Sequence, residues 1–307
     1  MADIVIIGGI NIDIEGYPYK DLVEQDSNPG RIKISYGGVG RNIAENAARI
    51  GEKAAMLSVI GADELGRGAR SHLAGLGVDV SMVREIPGRG SAIYLSILNP
   101  NRDMHLGLCD MEIIQELTAA DIRKAGTVFE SAAAVALDGN LEEEMLRDAT
   151  EILSDKMLFY DPVSANKAHR AKACIGRFHS IKPNLIEAEV LSGMKIETDE
   201  ELRNAARYFL DKGVKNVYIT LNCDGVYFKN KEKEGFIRPP KSIKIESATG
   251  AGDAFSAAVL YGMAHGLEID EIAALGMAAS QIAMESEKAV NEKINIEDIK
   301  RRVTQNV

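Results

Sequence analysis

The amino-acid sequence predicts an α/β protein: a doubly wound, mainly parallel sheet flanked by helices, with a small second β-sheet. Three observations carry that prediction. From about residue 117 onward, strands and helices alternate with short connections. Such alternation gives right-handed βαβ crossovers and a parallel sheet. The runs Ile4 to Ile7 and Ala54 to Ile60 are short, continuous and apolar, as strands buried on both faces must be. Ile32, Ile34 and Tyr36 instead alternate with Lys33 and Ser35, the mark of a strand with one face in water.

The elements follow in order. The first strand, Ile4 to Ile7, feeds Gly8-Gly9, with Asn11 and Asp13 beyond its carboxyl end. Residues 14–36 hold no helical period, only the exposed strand near 32–36. Gly37-Gly38-Val39-Gly40-Arg41-Asn42 then opens a helix that Gly51 stops. A helix over 64–76 follows the second buried strand, and Val78-Asp79-Val80 begins another strand. Residues 93–98 and 104–106 flank a turn-rich tip, Asn99-Pro100-Asn101-Arg102-Asp103, and predict a hairpin in the small sheet. Helices over 118–130, 141–153, near 167–176, 185–192 and 199–211 interleave with strands at 133–137, 157–160 and 216–221. Residues 225–238 read as an antiparallel edge hairpin whose 229–234 charge run is a solvated tip. Helices over about 252–265, near 270–286 and near 295–303 finish the chain.

Composition narrows the function. The chain has 307 residues, 36 Lys and Arg against 46 Asp and Glu, and a net charge of −10. An acidic chain argues against a nucleic-acid polymer as partner. With no tryptophan and 5% aromatic residues, a stacking surface for single strands is not expected either. No apolar run approaches the roughly 20 residues that span a bilayer, so no membrane partner is expected. Cys109, Cys174 and Cys223 lie far apart, which fits neither a zinc site nor a disulfide framework and points to a reducing cytoplasm. The N-terminus lacks the basic and apolar regions of a signal peptide. The five histidines are scattered, and neither a GxSxG elbow nor a GxxxxGK[ST] loop is present. Gly8-Gly9-Ile10-Asn11 is not the GxGxxG that a dinucleotide-dependent oxidoreductase needs.

Chemistry gathers at strand ends and glycine turns. Polar pairs recur after successive strands: Asn11 and Asp13, Asp138 and Asn140, Asp161 and Ser164, Asn184 and Glu187, Thr220 and Asn222. A doubly wound sheet brings those ends to one edge. Asn184 and Glu187, three apart at a helix start, share a face and offer hard oxygens suited to Mg²⁺ or its waters, or else form an ordinary cap. Ala248-Thr249-Gly250-Ala251-Gly252-Asp253 opens a long helix. Unpaired N–H groups at such a start attract anions, and small residues let a phosphate approach. Asp253 either caps that helix or acts as a base on a nucleophile that attacks the phosphate.

Gly37-Gly38, Asn184-xx-Glu187 and Gly250-Ala251-Gly252-Asp253, in this order and at these separations, resemble the ribokinase-like (PfkB) sugar and nucleoside kinases across essentially the whole chain. Within that family, the block from Gly37 to Asn46, with Asp161-Pro162-Val163-Ser164 and Lys182-Pro183-Asn184, looks most like the pseudouridine kinases. The resemblance implies one ribokinase-like domain over 1–307 with lid segments at about 14–36 and 89–107. It implies ATP and Mg²⁺ and phosphoryl transfer to the 5′-hydroxyl of a nucleoside. Asp253 would be the base, and Gly250, Ala251 and Gly252 the anion hole. Asn11, Asp13, Gly37, Gly38 and Asn42 would hold the sugar. Asn184, Thr220, Asn222 and Gly225 would border the nucleotide, and Asn184 with Glu187 would position the metal through water. A homodimer through the lid is implied as well. The alternatives within the family are ribose, adenosine or inosine kinases, and outside it a nucleoside-binding protein without catalysis. Glu246-Ser247 stands where many relatives carry Asp-Thr, an Asp that helps bind a monovalent cation, so K⁺ dependence is left open. Val39 replaces a lysine frequent in ribokinases, which argues against plain ribose.

Overall fold

The structure, a computed structural model, describes residues 2–240 and 245–305. The chain enters through β1 (Ile4–Ile7) and then builds β2 (Asn11–Pro18) and β3 (Gly30–Gly37) before α1 (Val39–Arg49). β4 (Ala54–Gly61), α2 (Glu64–Gly75) and β5 (Val83–Ile86) follow, then β6 (Ile93–Leu98) and β7 (Met104–Asp110). Next come α3 (Ala119–Lys124), α4 (Gly126–Glu130), β8 (Ala134–Asp138), α5 (Glu143–Ile152), β9 (Met157–Asp161) and α6 (Ala165–Ala168). β10 (Ser180–Ile181), α7 (Leu185–Ser192), α8 (Asp199–Lys212) and β11 (Asn216–Thr220) lead to a hairpin of β12 (Val226–Lys229) and β13 (Glu234–Ile237). Three helices close the chain: α9 (Ala251–Ala264), α10 (Ile269–Met284) and α11 (Ile296–Gln305).

The large sheet has nine strands in the order β13-β12-β11-β10-β9-β8-β1-β4-β5. All pairings from β11 to β5 are parallel, and the β12–β13 hairpin adds an antiparallel edge. Alternation along β1 shows why both faces are covered. Ile4 and Ile6 enter a core shared with α1, α9 and α10, while Val5 and Ile7 enter one shared with α5, α7 and α8. All four are fully buried.

The small sheet runs β3-β2-β6-β7. Its register places Ile32, Ile34, Ile14, Leu95, Ile97, Leu106 and Leu108 on one face. Asp13, Glu15, Lys33, Ser35 and Ser96 lie on the other. Toward its tips the apolar face is open: Ile32 is 69% exposed and Leu108 59%.

Three local expectations change. Val78-Asp79-Val80 does not begin a strand; Asp79 makes one isolated bridge to Ala55, and pairing with β4 resumes at Val83. The helix expected over 118–130 breaks at Ala125, whose N–H is shared between Asp121 and Ile122 carbonyls just ahead of Gly126, a weak helix former. The helix expected near 167–176 shrinks to α6 and two 3₁₀ turns. Ala168, Ala171, Cys174 and Ile175 are its buried residues. Asn11 opens β2 and pairs with Gly37.

Candidate functional site

Two glycine-led helix starts meet above the carboxyl ends of the central strands. Gly250, the N-cap of α9, has φ 80°, a left-handed conformation that favours glycine. A Cβ there would lie 1.7 Å from the Ala289 carbonyl oxygen, so the turn tolerates no side chain. Gly38 caps α1 with φ 99°, and a Cβ on it would lie 2.4 Å from the Gly9 carbonyl oxygen. The buried carboxylate of Asp138 ties the Gly38 turn to the Gly9 loop. It accepts from Gly9 N at 2.9 Å, Gly40 N at 2.8 Å, and both the backbone and side chain of Asn140.

Asp253 sits in the first turn of α9, buried. Asn42 Nδ2, from the first turn of α1, donates to Asp253 Oδ2 at 2.6 Å. Burial first, and then the charge of Asp161, push the Asp253 carboxyl up to about 7; Asn42, Lys182 and Arg41 pull the other way. A carboxyl so poised can change protonation state near neutral pH, as a base must. Asn42 reaches Asp253 as a donor only, because Arg41 Nη2 occupies its Oδ1.

Two further charges border the turn. Lys182 Nζ pairs with Asp161 Oδ2 at 3.1 Å, both side chains nearly inaccessible, and Ser256 Oγ donates to the same oxygen at 2.7 Å. Burial works against the Lys182 ammonium, but Asp161, Glu187 and Asp253 outweigh it and raise its pKa. A Cβ on Gly252 would lie 3.2 Å from Lys182 Nζ. A cation and the open N–H groups of a helix start therefore share one spot. The sequence reading gave Lys182 and Ser256 no role. Lysine directly after a two-residue buried strand was the signal for the first; the second carries none.

Asn184 and Glu187 form a reciprocal cap on α7. Glu187 N donates to Asn184 Oδ1 at 2.9 Å, and Asn184 N to Glu187 Oε2 at 2.8 Å. Burial raises the pKa of Glu187, against the opposing pull of Lys182. The cap engages only Oε2 of Glu187, so through Oε1 this pair offers one hard oxygen to a hydrated cation rather than a cage around a bare one. Among the described residues no group of three or more His, Cys, Asp or Glu is placed to hold a metal by itself. Asn184 bridges Thr220 in parallel register. Asn222 follows with φ 53°, and Gly225 with φ 101° packs a Cα against the Ile237 carbonyl. Asn184, Thr220, Asn222 and Gly225 are thus brought together beyond the carboxyl ends of β10 and β11.

Asn11 and Asp13 belong to β2, at the base of the small sheet. Asn11 Nδ2 donates to Asp13 Oδ1 at 2.6 Å, and burial raises the Asp13 pKa despite that bond. Gly37 stands opposite, where a Cβ would come within 2.2 Å of Asp13 Oδ2. The polar face of the small sheet therefore continues into the Asn42–Asp253 pair.

A mostly parallel sheet with this small sheet beside it, and a buried carboxylate at a glycine helix start, define the class. Residues 1–295 match the pfkB family of carbohydrate kinases, and the chain belongs to that family. It is a sugar or nucleoside kinase, a phosphotransferase of the ribokinase-like fold. The chain is 33% identical to pseudouridine kinase of Escherichia coli K12 over 96% of its own length and 95% of that protein. It is 27% identical to guanosine-inosine kinase of Exiguobacterium acetylicum over 96% of this chain and 99% of that one. Ribokinase of Arabidopsis thaliana, solved with ribose and ATP, superposes with a TM-score of 0.83 at 19% identity, covering 98% of both chains.

Proposed function

We propose that this kinase transfers the γ-phosphate of ATP to the 5′-hydroxyl of pseudouridine. The observation that carries the reading is the buried Asp253 carboxyl, held by Asn42 and poised near neutrality against the glycine start of α9. Asp253 accepts the proton of the 5′-hydroxyl as its oxygen forms a bond to the γ-phosphorus. The bond from that phosphorus to the bridging oxygen breaks, and ADP leaves. The N–H groups of the Gly250–Gly252 turn, with Lys182, face the charge on the transferring group. Asn11, Asp13, Gly37, Gly38 and Asn42 hold the ribose hydroxyls. Asn184, Thr220, Asn222 and Gly225 border the nucleotide. Mg²⁺ would supply charge neutralisation on the phosphates, and Glu187 and Asn184 would hold it through water. The small sheet, together with its flanking turns, acts as the lid that keeps water out.

The preference for pseudouridine rests on the E. coli relative and on the strand-end residues. Val163, at φ 69°, turns the chain after β9 so that α6 starts at once. Lys167 Nζ then reaches Asn140 Oδ1 at 2.6 Å, beside the Gly9 loop, where it can read a base carbonyl. The open apolar face of the lid supports a homodimer through that sheet, and the free cysteines fit a reducing cytoplasm.

The experiment is a panel of pseudouridine, uridine, adenosine, inosine, guanosine, ribose and fructose with Mg²⁺ and ATP. Pseudouridine should give the highest kcat/KM, and the product should be the 5′-phosphate. A better rate on any other acceptor would overturn the assignment. Asp253→Asn should lower kcat at least about 100-fold with substrate binding nearly unchanged.

A further inference from the structure

Arg41 is buried beneath the two helix starts, and almost every N–H of its guanidinium has a partner. Nε donates to the Gly37 carbonyl at 3.3 Å, Nη1 to Glu45 Oε2 at 2.5 Å, and Nη2 to the Tyr36 carbonyl at 2.5 Å and to Asn42 Oδ1. Tyr36 and Gly37 are the last residues of β3, a lid strand. Asn42 in turn donates to Asp253. One planar cation therefore touches the end of the lid and the residue that holds the carboxylate.

We propose that Arg41 is a positioning residue that fixes the Asn42 amide with its nitrogen toward Asp253 and ties that orientation to the seat of lid strand β3. This rests on Asp253 being the base. The logic is one of donors and acceptors. An amide has one donor end and one acceptor end. While Arg41 occupies Oδ1, only Nδ2 can face the carboxylate. Without the guanidinium the amide can rotate, and its oxygen would then face a carboxylate that it cannot bond. Lysine cannot replace the fork. One ammonium cannot serve Glu45, the two lid carbonyls and Asn42 in one plane.

The charges around the pair define what a variant should do. Asp253 is faced by Asp161 from β9, by Lys182 from the segment after β10, and by Arg41 and Asn42 from α1. Arg41 is faced by Glu45 of its own helix, by Asp253 of α9 and by Asp13 of β2. Glu45 is also held by Arg49 and by His72 of α2, so it keeps partners when Arg41 changes. Loss of Arg41 removes both a nearby positive charge and the donor that Asn42 gives Asp253. Both losses favour protonated Asp253.

The test measures kcat and KM of Arg41→Lys and Arg41→Met across pH with pseudouridine and saturating Mg²⁺ and ATP, beside Asp253→Asn. Thermal unfolding checks that each variant folds. Arg41→Lys retains a charge for Glu45, so it stays informative if Arg41→Met does not fold. In a folded Arg41 variant the acidic limb of kcat/KM should move to higher pH by at least about half a unit. At pH 7 kcat should fall about tenfold, more than KM changes, and activity should recover toward alkaline pH. A folded Arg41→Lys with the wild-type limb, or a loss confined to KM, overturns the proposal. If Asp253→Asn is inactive while Arg41→Lys behaves as wild type, only the role of Arg41 fails. If Asp253→Asn keeps wild-type activity, the base assignment fails first.

Discussion

A charged carboxylate at Asp253 costs the fold free energy, and that cost has a sign that can be measured. Its folded pKa of about 7 lies above the ordinary 3.8, so between those values the folded chain holds a proton that the unfolded chain releases. Stability is then undiminished by this group below about pH 4 and falls as the pH rises toward 7. Asp253→Asn should therefore unfold at a higher temperature than the wild type at pH 8, by at least about 2 °C for a chain of this size. The gain should shrink at pH 5. Equal unfolding temperatures at pH 8 would mean that Asp253 is not charged at a cost. Enzymes trade stability for function at such positions. The identity of this residue was legible in the sequence because a carboxylate at an anion-binding helix start is chemically out of place. Its partner was not: Asn42 is 211 residues away, and only folding shows that the two helix starts face each other. Lys182 and Ser256 escaped for the same reason.

At the scale of elements, the glycine starts of α1 and α9 were legible because glycine followed by a helical period has few other readings. The turn of α9 depends on one position above all. Gly250→Ala would place a Cβ 1.7 Å from the Ala289 carbonyl at φ 80°, so the turn must move, taking the anion-facing N–H groups with it. Gly51, with φ 98° and nothing within 4 Å of a Cβ, is the control. Gly51→Ala should cost about 1 kcal/mol from backbone strain alone and leave kcat intact. Gly250→Ala should cost more in stability and lower kcat at least tenfold. Equal behaviour of the two variants would mean the turn plays no part in catalysis. Of the helices that sequence periodicity misplaced, 118–130 meets Gly126, and 167–176 shortens to α6 and two 3₁₀ turns beginning beside Lys167, the residue proposed to read the base.

For the molecule as a whole, the parallel order was legible from strand–helix alternation, and the small sheet from the one stretch with period two. What the sequence could not reveal was that the apolar face of the small sheet lies open. Ile32, Ile34, Leu106 and Leu108 share it and are each more than half exposed. Exposed apolar surface of this kind marks an interaction site. If two lids pack together there, Ile34→Glu with Leu108→Glu should give a monomer by sedimentation and lower kcat/KM, because the lid is then unsupported. A monomeric wild type would remove the dimer from the account.

The central claim is that Asp253 is the base for transfer to a nucleoside hydroxyl. The pH dependence of kcat/KM for pseudouridine, with Mg²⁺ and ATP saturating, tests it most directly. That profile reports the ATP-loaded enzyme before the nucleoside binds; burial and the charge of Asp161 push the Asp253 carboxyl of the chain alone up to about 7. The predicted result is an acidic limb with its midpoint near that value, its activity lost when Asp253 becomes Asn. A rate that stays level from pH 8 down to pH 5, or an Asp253→Asn enzyme that keeps the wild-type rate, would contradict the account.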